Sequence, residues 1–504
     1  MAKQRIVIIG AGIGGLSAAA LLAARGENVL VLERAATPGG KMRRLDVGGQ
    51  AIDGGPTVLT MRWVFEQLFA EAGTNLSDCL TLEPLAILAR HAWTETERLD
   101  LHASLEDSAA AIGAFSGAEE ARRFLNFADE ARRIYRTLEG PFIRSQRPGP
   151  MKLATANGLS GLRDMMRINP FETMWAGLGR HFKDPRLRQL FGRYATYCGS
   201  SPFRAPATLM LVAHVEQEGV WAVKGGMHEL ALAMEALALR NGAEIRYGAE
   251  VTAIETRNGQ VSAVRCGQDV LSSGDVIVNA DANAIASGLL GDEVSRCVAP
   301  VALAARSLSA ITWASVARTA GFELDRHNVF FSCDYVAEFS DLRDSYPSDP
   351  TVYVCAQDRG SGTRPDKDRL LVLVNSPANG DHGPQSQAAV EAAMRRKLSS
   401  CGLGVAWESA PTLVTDPSDF GTLFPATGGA LYGRASHGWM ASFQRPAAAT
   451  SLPGLYLAGG SVHPGPGVPM AALSGRLAAE SLMASRASMR RFRPVATAGG
   501  MSMR

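Results

Sequence analysis

Four apolar residues in a row, Ile6 to Ile9, predict a short strand buried on both faces. Ile13 to Arg25 then reads as a helix with small residues on its packing face, and Gly26 is its stop signal. Asn28 to Leu32 is a second buried strand, which completes a β-α-β unit of about 30 residues. Residues 61–135 read mostly as helices, with one strand-like patch near Ala86–Trp93. A helix is expected from Met227 to Arg240. Strands follow at Glu244–Tyr247, Glu250–Thr256 and Val261–Cys266, with Asn258-Gly259 as a hairpin turn. Asp275–Ala280 is again a buried-strand pattern, and residues 305–415 alternate strands with a helix. Leu455–Ala458 is the last buried strand. A glycine-proline loop, a helix from about Ala471 and a basic, disordered tail from Arg486, most fully over 491–504, complete the pattern.

Composition adds limits. At about 150 residues per domain, 504 residues make roughly three domain-sized units. A hydrophobic fraction of 46% supports a large core and excludes global disorder. The net charge of +2 gives no reason to expect a nucleic-acid partner. Cys79, Cys198, Cys266, Cys297, Cys333, Cys355 and Cys401 form no C-x-x-C pair. They are expected to be buried, reduced residues, which fits a cytoplasmic protein. No two histidines stand at metal-ligand spacing and no G-x-S-x-G elbow occurs, so neither a metal site nor a hydrolase is expected. The uncharged run Ile6–Ala24 imitates a signal peptide or membrane span, but glycines interrupt it at functional spacings. No transmembrane helix is expected.

Those glycines form Gly10-Ala-Gly12-Ile-Gly14-Gly15 at a strand-to-helix turn. Gly10 permits the tight turn, Gly12 lets a pyrophosphate approach the backbone, and Gly15 lets helix and strand pack closely. Glu33, at the end of the second strand, is placed to accept hydrogen bonds from a ribose diol. The pattern predicts dinucleotide binding. Arg34 through Gly39-Gly40-Lys41 adds a second glycine turn, and Asp53-Gly54-Gly55-Pro56-Thr57 a third. A longer, extended cofactor needs such extra backbone approaches, which points to FAD rather than NAD.

At this point the chain resembles the FAD-binding half of the flavin amine-oxidase and carotenoid-desaturase superfamily. Leu455 through Met470, containing Gly459-Gly460-Ser461-Val462-His463-Pro464-Gly465-Pro466-Gly467-Val468-Pro469, is similar to the closing signature of bacterial phytoene-type desaturases. Trp221 through Met227, followed by a helix and hairpin strands, resembles the family's middle FAD segment. The wording Ser461 to Arg476 looks most like the hydroxyneurosporene and methoxyneurosporene branch, because Met470-Ala471 stands where phytoene desaturases have Gly-Val.

The resemblance implies an α/β protein: a Rossmann-like FAD-binding domain from 1–75, 222–290 and 415–490, and a mixed-sheet and helical substrate domain from 76–221 and 291–414. It implies that Gly10, Gly12, Gly14, Gly15, Glu33, Arg34, Gly40, Lys41, Gly55, Pro56, Thr57, Val251, Gly460, Gly467, Val468, Pro469 and Met470 hold FAD. The substrate would be a C40 polyene, a 1-hydroxycarotenoid desaturated at C3–C4, with a quinone or oxygen as electron acceptor. Phytoene desaturation, a redox-neutral carotenoid isomerisation and amine oxidation are the other readings. C4 is allylic, so hydride loss there leaves a delocalised cation and an acidic C3. No catalytic side chain is assigned, and His463 is expected to shape its loop. Segment 141–206 carries eleven Lys or Arg against three Asp or Glu, mixed with Phe142, Met151, Met165, Met166, Phe171, Met174, Trp175 and Phe182. It reads as a helical cap facing the membrane, with the protein held peripherally on the inner face.

Overall fold

A computed structural model describes residues 4–147, 149, 151, 168–360, 364–382 and 387–491. Ile6–Ile9 is the centre of a five-stranded sheet, in the order Leu455–Leu457, Asp275–Val278, Ile6–Ile9, Val29–Leu32, Glu244–Arg246. All its pairings are parallel. Successive residues explain the uninterrupted apolar runs. Ile6 and Ile8 pack into a core shared with helices Ile13–Ala24, His228–Arg240 and Val468–Arg491. Val7 and Ile9 face the core beneath a three-stranded antiparallel sheet, Val251–Arg257, Gln260–Cys266 and Asp269–Ser272. Covered on both faces, these strands have no polar side to show.

The first helix is buried along almost its whole length. Its small residues permit this: a Cβ on Gly475 of the last helix would lie 2.0 Å from the Gly14 carbonyl oxygen. Leu455–Leu457 and the last helix return from the far end of the chain to complete the unit. Every strand of this sheet comes from 1–75, 222–290 or 415–490.

A second sheet has seven strands, in the order Thr412–Thr415, Ser309–Ala317, Asp368–Ser376, Val352–Ala356, His327–Phe330, Ile87–Ala92, Arg98–His102. It is antiparallel except where His327–Phe330 runs parallel to Ile87–Ala92. Helix Ala388–Ser400 covers it through Val390, Met394 and Leu398. Helix Ala118–Leu138 packs with Pro185–Gly192 in a core rich in phenylalanine.

Several expectations are corrected. Between 61 and 135 there are three strands, not one, because Leu82–Pro84 and Arg98–His102 are too short to show a strong period. The last helix begins at Val468 and continues to Arg491. Arg486 is therefore no disordered residue: its guanidinium pairs with Glu27 at 2.5 Å and Asp275 at 2.7 Å, two carboxylates it meets in the interior. The remainder of the proposed tail, 492–504, lies outside the described residues. So do Met165 and Met166. Of the cysteines, Cys355 and Cys401 are buried but Cys79 and Cys333 are exposed, contrary to the expectation for all seven, and all are free thiols.

Candidate functional site

The glycine turns converge on one cavity of about 1080 Å³ that runs between the two sheets. Gly10, Gly12 and Gly14 line it from the first strand-helix turn. Gly15 does not. A Cβ there would sit 2.1 Å from the Gly10 carbonyl oxygen, so Gly15 is required by helix-strand packing. Gly12 caps the first helix without a side chain, leaving first-turn N–H groups with no side-chain partner.

Glu33 lines the cavity at the end of its strand and is nearly buried. One oxygen accepts from the Ala11 N–H at 2.7 Å and the other from Ala35 N–H at 2.8 Å. Both bonds fix the carboxylate in place beside the glycine turn. Gly40 adopts a left-handed φ of 58°, and its Cβ would approach the Gly12 Cα to 3.3 Å. Only glycine lets these two turns meet so closely. Gly55, Pro56 and Thr57 form the next stretch of wall, and Val251 enters from the start of the hairpin sheet.

Arg34 and Lys41 also line the cavity, but both are engaged with backbone. Arg34 donates to the Thr422 and Leu423 carbonyls and Lys41 to the Leu431 carbonyl. They clamp the early turns to the end of helix Pro417–Leu423 and the loop after it. Burial lowers the pKa of Lys41, partly opposed by Asp281. Gly460, Gly467, Val468, Pro469 and Met470 close the cavity from the C-terminal loop. Gly467 has φ 107°, and a Cβ there would meet nothing within 4 Å. Pro469 is in the first turn of its helix, where an N–H would have no helical acceptor.

Three more groups shape the site, of which Asn279 and Arg445 were not singled out from the sequence. Asn279 donates from its amide to the Gly10 carbonyl at 3.2 Å and stands against Gly12 and Gly14. Ser461 accepts from the Ala282 N–H at 2.9 Å, joining the two strand ends. Arg445 is buried and donates to the carbonyls of Tyr432, Gly460 and Arg434. Burial brings its pKa down to about 10. The end of the buried strand at Asn279 was a usable signal, since polar residues there face the crevice. Nothing in spacing marks Arg445.

His463 is 2% exposed, with Nε2 2.9 Å from the Ser145 carbonyl oxygen and its ring edge-on to Phe142. Burial lowers its pKa to about 4, so the ring is neutral at neutral pH. It ties the 142–145 segment to the glycine-proline loop. Among the described residues no group of three or more His, Cys, Asp or Glu could hold a metal, and no helix is long and apolar enough to cross a membrane.

An elongated dinucleotide fits this architecture. The uncapped helix start suits a pyrophosphate, the fixed Glu33 carboxylate suits a ribose, and the glycine-lined space continues past both. Residues 13–483 match the family of flavin containing amine oxidoreductases. The chain is 54% identical to hydroxyneurosporene desaturase from Rubrivivax gelatinosus over 99% of its own length and 97% of that protein's. It is 43% identical to hydroxyneurosporene desaturase from Cereibacter sphaeroides, covering 97% and 99%. Cyclohexylamine oxidase from Brevibacterium oxydans shares the fold, with a TM-score of 0.57, 15% identity and coverage of 97% and 100%. The chain thus belongs to the flavin-containing amine oxidoreductase family, in its carotenoid-desaturase branch, and its cofactor is FAD.

Proposed function

We propose that this protein removes two hydrogens from the C3–C4 bond of an acyclic 1-hydroxycarotenoid. The observation that carries the reading is the continuity of the cavity. The glycine-lined part passes without a break into walls made by Leu138, Ile168, Leu209 and Val212, a surface suited to a polyene. The close identity to hydroxyneurosporene desaturases supports the substrate class.

In this account segments 1–75, 222–290 and 415–490 bind FAD, and 76–221 with 291–414 bind substrate. Gly10, Gly12 and Gly14 admit the pyrophosphate, Glu33 holds the ribose, Val251 meets the adenine, and the Gly55–Thr57 and Gly460–Met470 loops face the flavin. Arg34, Gly40 and Lys41 hold these turns together, and Gly15 keeps the first turn closed. When bound, FAD supplies the two-electron acceptor, which a quinone or oxygen then re-oxidises. The protein orients the allylic C4 and excludes water. A strong base is unnecessary when C3 becomes acidic beside a delocalised cation.

The mouth of the cavity is the place for membrane contact. Phe171 is 68% exposed and Trp439 42%, with ring centroids 5.1 Å apart, and both line the cavity. Exposed paired aromatics at the mouth of a cavity suit the bilayer interface, with the basic 141–206 segment attracted to anionic headgroups on the cytoplasmic face. The test is turnover by FAD-loaded protein in anionic liposomes holding either 1-hydroxyneurosporene or phytoene. A two-hydrogen mass loss from the hydroxylated substrate is expected. Loss only from phytoene overturns the reading.

A further inference from the structure

One part of the cavity wall is strongly polar, which a polyene does not need. Tyr197 faces the cavity from a 3-10 turn, Arg193–Cys198. Its hydroxyl accepts from Arg193 Nη1 at 2.9 Å and donates to Glu216 Oε1 at 2.6 Å. Tyr194 donates to the other Glu216 oxygen. Arg193 and Glu216, 6% and 2% exposed, also line the cavity. Tyr353, from strand Val352–Ala356, lines the same cavity, with its hydroxyl 2.7 Å from Thr57 Oγ1 and 2.7 Å from His327 Nδ1. The two sets share one cavity wall, and after burial the charges of Arg326 and then Arg193 oppose protonation of His327.

The cluster has unfilled hydrogen-bond positions. Arg193 Nε and Nη2 and His327 Nε2 are buried with no hydrogen-bond partner among the described residues. Buried polar groups without partners are rare in a finished interior. A phenol oxygen has one donor and two acceptor positions. Tyr197 uses one of each, so its oxygen keeps room for one more donor, while the Tyr353 hydroxyl meets Thr57, His327 and the Cys355 thiol. Burial raises both phenol pKa values, and the hydroxyls stay protonated.

Position narrows the ligand. Tyr353 is one hydrogen bond from Thr57, in the turn assigned above to the flavin. On the reading proposed above, the substrate's hydroxyl carbon C1 is three carbon–carbon bonds from C4. Its hydroxyl must therefore lie beside the flavin-facing turn and not at the far end of the tunnel. We propose that Tyr197 and Tyr353, braced by Arg193, Glu216 and His327, form the subsite for the tertiary hydroxyl of the carotenoid end group. They thereby select hydroxylated over plain end groups. The inference rests on the proposed substrate class.

The test compares 1-hydroxyneurosporene with neurosporene, which lacks the hydroxyl, on the FAD-loaded full chain in detergent micelles. Binding is read from quenching of tryptophan fluorescence and turnover from product mass. Wild type should bind the hydroxylated compound roughly 10- to 100-fold more tightly. Tyr197→Phe and Tyr353→Phe should each lower that preference by about tenfold, through weaker binding of the hydroxylated ligand alone. Arg193→Lys should keep more of the preference than Arg193→Met; if the latter fails to fold, the two tyrosine variants decide. An unchanged preference in both tyrosine variants overturns the subsite. Equal weakening toward both ligands also overturns it, because that is the mark of a structural network. A wild type that desaturates 1-hydroxyneurosporene without binding preference refutes the subsite and leaves the substrate reading intact. A wild type that never desaturates it refutes the reading itself.

Discussion

Asn279 donates its side-chain amide to the Gly10 carbonyl across 3.2 Å, so the end of one buried strand closes the turn that follows another. Residues far apart in sequence become one wall of the cavity. Asn279→Ala should leave that carbonyl unpaired and loosen the turn. An FAD dissociation constant raised about tenfold, with the fold retained, is expected by titration of the apoprotein. Unchanged affinity would remove Asn279 from the account.

Glu33 is held by two backbone N–H groups before any ribose arrives. Glu33→Ala should lower FAD retention on gel filtration by at least tenfold, because it deletes the ribose acceptor and unpairs two donors. Full FAD occupancy in the variant would contradict the assignment.

Two glycines of the same site should respond differently. A Cβ at Gly15 has nowhere to go but the Gly10 carbonyl oxygen, so Gly15→Ala should prevent accumulation of folded protein. Gly467 has open space but a left-handed φ. Gly467→Ala should fold, lose about 1–2 kcal/mol to backbone strain, and bind FAD more weakly. Melting temperature and bound flavin, measured together, separate the two outcomes.

Acid should destabilise the protein through buried neutral histidines. Burial depresses the pKa of His463 to about 4 and that of His327 to about 3, from an ordinary 6.5. The unfolded chain therefore binds more protons between those values. Stability is present above about pH 6.5 and is lost as pH falls toward 4, by up to about 3 kcal/mol for His463. Melting curves across this range should show the loss, and His463→Gln should flatten it. A slope unaffected by His463→Gln would contradict its neutral, buried state.

Phe171 and Trp439 supply a separate test of the proposed membrane contact. Phe171→Ser with Trp439→Ser should reduce co-sedimentation with anionic liposomes several-fold while FAD content stays constant. Residual binding should fall with added salt, since the remaining attraction is electrostatic. Undiminished binding would place the membrane contact elsewhere.

The five-stranded parallel sheet and its glycine turns were readable because their signals are local and redundant. Glycines at close approaches, an acid ending a strand and fully apolar strands such as Ile6–Ile9 each imply the next. Pro469 falls in the first turn of the last helix, as a missing N–H allows, so that helix starts at Val468. The seven-stranded sheet and the helices around it were less readable. Arg98–His102 is only five residues long, and a helix follows it from Leu105. Arg193, Tyr197, Glu216 and Tyr353 come from separate elements whose meeting no one-dimensional period records.

The most direct test of the account is an anaerobic single turnover of the FAD-loaded protein with 1-hydroxyneurosporene, followed by mass spectrometry of the carotenoid. The account predicts a product two hydrogens lighter, in an amount equal to bound FAD, with no oxygen gained. A product of unchanged mass, or one that forms only with oxygen and carries an added oxygen atom, would contradict it.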